Sequence, residues 1–262
     1  MIKECCAENI KYLKDIIKND IYQNVYLYID TSTYGFENQD IQTWIIAENE
    51  IDTVIVYKYY NSFQLFQISE PSDGNIKEIC FLSEQNQIQM MSGCVNLIRR
   101  ISNMLPQWEK NEGIIMRAGE KAAKEDHEIF KASPDECLEI AELICADEGI
   151  GGHYSIELLE EQLKDRMLNW NCQNFVLREN GKIVSHMGTY ADIDGIAILG
   201  GLVTAPEVRG KGYGKRVLQS LTAQVLKEKK IPVLYCYEQD VIEWYQHLGW
   251  IQVYHCAKLE RK

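Results

Sequence analysis

The stretch V-T-A-P-E-V-R-G-K-G-Y-G-K, residues 203–215, decides the fold of this chain. An apolar run at residues 196–203 leads into it, and residues 217–226 follow it with apolar side chains at helical spacing. This order predicts a strand, a glycine-rich loop and a helix. Three alternating glycines in the loop permit a close approach of the backbone to a ligand: Gly210, Gly212 and Gly214. A helix that starts after such a loop directs unpaired N–H groups and its positive dipole end outward, so the expected ligand is an anion such as a pyrophosphate.

Spacing separates three kinds of phosphate-binding loop. A P-loop needs a glycine five residues before its Gly-Lys pair and Ser or Thr after it, but Arg209 and Arg216 occupy these positions. The dinucleotide fingerprint needs a glycine where Lys215 stands. The remaining pattern, R-x-x-G-x-G at residues 209–214 after V-T-A-P, resembles the coenzyme A loop of the GNAT acetyltransferase superfamily, V-x-P-x-x-R-G-x-G-x-G, with one extra residue before the proline. The alternative is a glycine-rich turn that binds nothing.

Composition and charge narrow the class of protein. With 262 residues the chain suits two modest domains or one large one, and 46% hydrophobic and 25% charged residues are typical of a globular protein. The net charge of -12 argues against a nucleic-acid partner, because binding to phosphates depends on Lys and Arg. The same charge would attract cationic, amine-bearing substrates.

The cysteines argue for a reducing compartment. Their number, nine, is odd and no C-x-x-C pair occurs, so we expect neither a disulfide framework nor a metal site. Most are interpreted as small core residues of a cytoplasmic protein. The N-terminal residues lack a signal-peptide apolar core and no run reaches membrane-spanning length, so we expect no membrane association.

The first half of the chain alternates helical and strand patterns. Apolar spacing predicts a helix at residues 8–18, and Ile88 to Leu105 is interpreted as a second helix that ends before Pro106. Runs rich in β-branched and aromatic residues predict strands at 25–29, 43–47, 53–59 and 63–68. Residues 71–74 are interpreted as a turn, and 76–82 leave helix and strand open.

The second half has clearer punctuation. Ser133 and Glu136 form a capping box that opens a helix, Ser155 opens another, and glycines at 149–152 separate the two. Asn180-Gly181 predicts a hairpin turn. The further predicted elements are strands at 175–178, 183–190, 196–203, 233–237 and from 250, and a helix at 241–248. The tryptophans at 108, 170 and 244 are expected in the core or at a domain contact.

The two halves resemble each other. Residues 44–49 match residues 175–180 at an offset of 131, which suggests a tandem duplication. The first copy has residues 69–75, with one glycine and no arginine, where the second has its phosphate loop. We therefore predict two domains: residues 1–120, a degenerate copy without the cofactor loop, and residues 121–262.

The GNAT resemblance covers about residues 128–258 and implies a fold and a cofactor. The fold would be α/β (α+β), with a mixed, mostly antiparallel sheet flanked by helices, and the cofactor acetyl-CoA. Backbone groups of Leu202 and Val203 would bind the pantetheine arm, with the Val203 N–H polarising the thioester carbonyl. The pyrophosphate would lie on the loop residues Arg209, Gly210, Lys211, Gly212, Tyr213, Gly214 and Lys215.

A second family signature, N-x-x-A-x-x-x-Y-x-x-x-G-F, resembles residues 238–250. It places Tyr245 on the family tyrosine, which implies a general acid for the leaving thiolate, because a phenol stays protonated at neutral pH. The alternative is an aromatic ring that only packs against the cofactor. Glu238 replaces the family asparagine.

The general base is less clear. The strand at 196–203 carries no acid, so the candidates are Glu238, His186 and His153, with a chain of waters as an equal alternative. His153 and Tyr154 would lie in one wall of the acceptor site.

The sequence thus predicts an acetyl-CoA-dependent N-acetyltransferase in which a primary amine, on a small molecule or a peptide, attacks the thioester directly. The alternative is a non-catalytic module that binds acyl-CoA or a partner. The sequence leaves the oligomeric state open, with a homodimer as one candidate.

Overall fold

The protein was analysed as a computed structural model, which describes residues 1–37, 41–147, 149–150, 155–193 and 195–262. The chain forms two compact units. The first unit contains Met1–Ile115, Cys236–Ile242 and Gln252–Lys262, and the second contains Met116–Tyr235 and Glu243–Ile251. The units are not continuous in sequence, because the end of the chain belongs to the first unit.

The elements of the first repeat alternate strands with helices in a fixed order. They are β1 Ile2–Glu4, α1 Ala7–Asn19, α2 Val25–Tyr34, β2 Ile41–Glu48, β3 Ile51–Tyr59, β4 Ser62–Gln67, α3 Asp73–Gln85, β5 Met90–Cys94, α4 Val95–Met104 and β6 Trp108–Ala118.

The second repeat follows the same order. Its elements are β7 Ile129–Lys131, α5 Cys137–Cys145, α6 Ile156–Asn169, β8 Asn174–Glu179, β9 Lys182–Ile193, β10 Ile196–Thr204, α7 Tyr213–Lys227, β11 Ile231–Cys236, α8 Gln239–His247 and β12 Trp250–Arg261.

Strand pairing also repeats. The first unit orders its strands β1-β2-β3-β4-β5, and the second β7-β8-β9-β10-β11. In both, the first three pairs are antiparallel and the last is parallel. The offset of 131 lays β2 on β8, so the predicted mixed sheet and its tandem arrangement are confirmed. In the first unit, β12 continues the sheet as the antiparallel neighbour of β5, from Cys256 opposite Cys94 to Glu260 opposite Met90.

Alternation along the strands builds the two faces of the first unit's core. Ile46 and Val54 face one cluster with the apolar residues of α3 and α4. Their neighbours Ile45 and Ile55 face the other cluster, with residues of α1 and α2. In the second unit a core of the same kind joins α5 and α6 to Val176 and Val203.

The predicted strand at 25–29 is wrong, because these residues begin helix α2. Burial alternates along Val25, Leu27 and Ile29, which imitates a strand in sequence. The helix is instead set by its cap, since the Asn24 side chain accepts a hydrogen bond from Leu27 N at 3.1 Å.

The predicted helix at 88–105 is wrong in its first part. Residues 90–94 form β5, and the helix α4 begins only at Val95. Gly93 permits the strand, because a Cβ at that position would lie 3.1 Å from the Leu65 carbonyl oxygen of β4. Tertiary pairing therefore decides this segment over its apolar spacing.

Three further details differ from the sequence interpretation. The predicted turn at 71–74 includes the first turn of α3, whose cap is Ser72, and the ambiguous segment 76–82 is helical. The strands β1, β6 and β7 carried no clear signal. Trp170 does not lie in the core: it is 39% exposed, and its indole N–H donates to Asp165.

The remaining predicted elements are confirmed: α1, β2 to β4, the Ser133–Glu136 capping box, the Ser155 cap, the Asn180-Gly181 hairpin, β10, α7, β11, α8 and β12. Among the described residues, no helix is both long and apolar enough to cross a membrane. All nine cysteines are free thiols.

Candidate active site

The glycine loop ends in a helix that no side chain caps. Gly212 is the N-cap of α7 with φ +80°, and no side chain accepts a hydrogen bond from the first turn of this helix. Gly210 has φ +81°. A Cβ added at either position would meet no atom within 4 Å, so glycine is required here by the backbone conformation and not by crowding. The N–H groups of the first turn are therefore available to an anion.

The basic side chains of the loop are held in place by acids. Arg209 donates from Nε to the Thr204 carbonyl at 3.0 Å and from Nη2 to Asp147 at 2.7 Å. Lys211 Nζ lies 3.0 Å from Glu179 Oε1, which also accepts from the Tyr213 hydroxyl. These hydrogen bonds lower the pKa of Glu179, so its charge offsets part of the local positive charge.

A cavity of about 310 Å³ opens beside the N-terminus of α7. Its lining is mostly basic and polar: Lys124, Asp126, Lys211, Gly212, Lys215, Arg216 and Gln219. Arg216 donates to Asp126 and Glu128, and this contact lowers the pKa of Asp126 to about 2. Lys124 and Lys215 have exposed side chains. The sequence interpretation missed Lys124, because it lies far from the loop in the chain.

The strand before the loop carries a bulge. On β10 and β9, Gly200 pairs with Gly188 and Val203 pairs with His186, so two residues of β10 lie opposite one of β9. Gly201 has φ +66°, and a Cβ there would lie 2.5 Å from the Tyr190 hydroxyl. The consecutive glycines in a strand were the available signal for this bulge.

The strands β10 and β11 separate before the bulge. They are paired only from Ile196 opposite Ile231 to Ile198 opposite Val233, although β10 continues to Thr204 and β11 to Cys236. The backbone of residues 202 and 203 therefore lies in the part of β10 that has no pairing with β11.

His186 is not placed as a solvent-accessible base. The ring is fully buried, with Nδ1 3.0 Å from the Gly201 carbonyl oxygen and Nε2 2.8 Å from Asn174. Burial lowers the pKa of the imidazole to about 4, opposed by the hydrogen bond to Gly201. The ring is thus neutral at physiological pH, with both nitrogens bound inside the protein.

Tyr245 is buried on α8. Its ring lies 5.0 Å from that of Trp244 and 5.8 Å from that of Trp250, both edge-on, and only 7% of the residue is exposed. Glu238 is exposed and belongs to the segment Cys236–Ile242 of the first unit. His153 and Tyr154 lie outside the described residues.

The corresponding junction of the first unit carries a capped helix end. The N-terminus of α3 is capped by Ser72, whose Oγ accepts from Asn75 N at 3.3 Å. The acids Glu70 and Asp73 precede and begin the helix, and Arg100 binds both. Residues 69–75 contain no arginine, and the helix that follows them begins with a side-chain cap.

The first unit also has its own diverging strands. The strands β4 and β5 pair only over three residues each, up to Gln64 and Ser92. Past this point the Gln23 side-chain amide binds both backbone groups of Gln67, donating to its carbonyl at 3.0 Å and accepting from its N–H. Ile68 N, one residue on, donates to Thr53 of β3. Because successive backbone groups point to opposite edges, those of Gln67 face away from β3, toward the gap.

Comparison with known proteins identifies the second repeat. Residues 138–250 match the model of the acetyltransferase (GNAT) family. This segment is a GNAT domain. No curated protein matches the chain.

Solved structures, two of them of GNAT proteins, share the fold over the whole chain. An acetyltransferase of the GNAT family from Colwellia psychrerythraea is 16% identical, with 100% of both chains covered and a TM-score of 0.63. A Drosophila protein is 13% identical, with 100% of this chain and 98% of that chain covered and a TM-score of 0.69. A tandem GNAT protein from the clavulanic acid biosynthesis pathway is 10% identical, covers 100% and 98%, and has a TM-score of 0.60.

Proposed function

We propose that the GNAT domain is an N-acetyltransferase that transfers an acyl group from acetyl-CoA to a primary amine by direct attack. The observation that supports this most strongly is the uncapped N-terminus of α7, which follows Gly210 and Gly212 and adjoins a strand that diverges from its neighbour. An open helix end suits a pyrophosphate, and a diverging strand offers backbone groups to an extended amide chain.

The residues present fit acetyl-CoA. The backbone of residues 209–215 would bind the pyrophosphate, and Lys124 and Lys215, exposed at the rim of the 310 Å³ cavity, would add positive charge for further phosphate. The backbone of Leu202 and Val203 would bind the pantetheine arm. When bound, acetyl-CoA supplies an activated acyl thioester.

The chain contributes positioning and proton transfer. The Val203 N–H would donate to the thioester carbonyl, where negative charge develops as the amine attacks. Tyr245, buried between two tryptophans, would donate its phenolic proton toward the departing sulfur. Glu238 and His153 remain the proposed bases.

The acceptor would be a small-molecule or peptide amine, because the net charge of -12 attracts protonated amines. We propose a cytoplasmic location from the free cysteines, and a homodimer is one candidate assembly.

The test combines binding with turnover. With acetyl-CoA at about 100 times its dissociation constant, the ligand should add about 2.7 kcal/mol to the free energy of unfolding and raise the melting temperature by several degrees. A panel of amines, followed by release of free thiol, should reveal turnover. Binding without thiol release from any amine would instead support a non-catalytic acyl-CoA-binding module.

Gly212→Val should abolish this thermal shift, because valine is strained at φ +80° and its side chain would occupy the approach to the helix end. Gly35→Val is the matched control: Gly35 has φ +81° and open space around a Cβ, but lies in the first unit. An undiminished shift in Gly212→Val, or no shift in the wild type, would refute the assignment of the loop.

A further inference from the structure

We propose that His186 is a positioning residue, which sets the β10 backbone at residues 201–203 for the acyl end of the thioester substrate. This inference rests on the proposed function. It assigns a task to a buried imidazole that the family signatures do not include and that its burial removes from the candidate bases.

The bulge fixes what His186 must hold. Two residues of β10, Gly201 and Leu202, lie opposite Met187 of β9, and a bulge of this kind leaves one residue without a regular ladder partner. The Gly201 carbonyl would lack a regular partner at this point, and the His186 ring supplies it at 3.0 Å. This hydrogen bond directs the Gly201 carbonyl toward β9. It thereby sets the orientation of the peptide plane that joins Gly201 to Leu202.

The tautomer of His186 follows from its partners. A carbonyl oxygen can only accept, so Nδ1 carries the proton. The atom at Nε2 is Asn174 Oδ1, at 2.8 Å. A neutral ring that donates from Nδ1 must accept at Nε2, so this tautomer requires the Asn174 amide, whose two ends are interchangeable in shape, to be turned with its NH₂ group toward the ring. The Asn174 side chain has room beside the ring only because Gly188 has no side chain.

Two neighbouring contacts support the same segment. Ser185 Oγ donates to the Val203 carbonyl at 3.1 Å and lies 2.9 Å from Thr204 Oγ1. Adjacent residues of β9 therefore fix the carbonyls of Gly201 and Val203. Leu202 lies between these two carbonyls, in the segment to which the thioester end would bind. A ring with 0% exposure and two bound nitrogens touches no substrate itself, so its effect passes through this backbone.

The test separates the acyl end of the substrate from its phosphate end. Acetyl-CoA uses both the loop and the bulge, whereas adenosine 3′,5′-bisphosphate carries no pantetheine and no thioester. In His186→Leu the dissociation constant of acetyl-CoA, measured by calorimetry, should rise roughly tenfold or more, since a hydrogen bond is lost beside the binding backbone. That of the bisphosphate should change less than about twofold, which also shows that the domain is folded.

Two variants complete the design. His186→Asn keeps an N–H donor near the position of Nδ1 and should restore most of the affinity for acetyl-CoA. Thr189→Val removes another buried hydrogen bond of β9, the one that Thr189 Oγ1 accepts from Gln173 N at 2.8 Å, and should leave both affinities unchanged. Equal affinity of His186→Leu and the wild type for acetyl-CoA, or a parallel loss of both ligands, overturns the inference. If the wild type binds neither ligand, the proposed function fails first.

Discussion

The hydroxyl of Tyr245 can be removed without changing how its ring packs. Its ring is enclosed by Trp244 and Trp250, so Phe at this position would keep the aromatic contacts and lose only the hydroxyl. We expect Tyr245→Phe to lower turnover roughly 10- to 1000-fold and to leave the dissociation constant of acetyl-CoA nearly unchanged, because a proton donor acts in the transition state. Steady-state kinetics and calorimetry on the same preparation measure both quantities.

A matched control for this substitution is Tyr57→Phe. Tyr57 is a fully buried tyrosine of the first unit, and its hydroxyl donates to the Gly35 carbonyl at 3.3 Å. It should not affect turnover. If Tyr245→Phe reacts as fast as the wild type, the ring serves packing and the thiolate takes its proton from another group.

Between elements, a partly buried carboxylate joins α2 to β4 in the first unit. Gln64 Nε2 donates to Asp30 Oδ2 at 2.6 Å, and burial raises the pKa of Asp30 to about 6, against the opposing effect of this hydrogen bond. The folded pKa lies above the unfolded one, near 3.9, so the native state binds the proton more tightly. The charge of Asp30 therefore destabilises the fold above about pH 6, and this cost disappears as the pH falls toward 4.

Asp30→Asn should consequently stabilise the protein at about pH 7.5 by on the order of 1–3 kcal/mol, with a gain that shrinks at about pH 5. The amide oxygen of asparagine can still accept from Gln64. Urea unfolding at the two pH values measures the difference, with Asp15→Asn on the exposed face of α1 as control. An Asp30→Asn variant that is no more stable at the higher pH contradicts the prediction.

The whole molecule contains two units with the same strand order, and we predict that only one of them binds coenzyme. In the second unit the helix end after the loop is open, whereas in the first Ser72 caps it and Glu70 and Asp73 stand beside it. The Gln23 amide also takes the backbone groups of Gln67 that an extended ligand would need. Calorimetric titration should give one equivalent of acetyl-CoA per chain.

The loop variant makes this count decisive. Gly212→Val should reduce the stoichiometry from one to none, because it removes the site of the second unit and we predict that the first unit binds no coenzyme. Two equivalents in the wild type, or one equivalent retained in Gly212→Val, would show that the first unit binds coenzyme after all.

The sequence by itself determined the features that short-range chemistry encodes. Loop glycines with positive φ, the Ser133 and Ser155 caps and the Asn180-Gly181 turn act through neighbours in the chain, so their spacing was sufficient to predict them. The repeat could also be predicted, because residues 44–49 and 175–180 keep the pattern of one strand.

Only the tertiary structure decided the rest, because long-range contacts override local preference. Residues 90–94 form a strand since β4 and β12 pair with them on either side, and nothing in their own spacing shows this. The same holds for the partners of the functional segments. Asn174 and His186 are twelve positions apart, and Gln23 and Gln67 forty-four, so their pairing exists only after the sheet has formed.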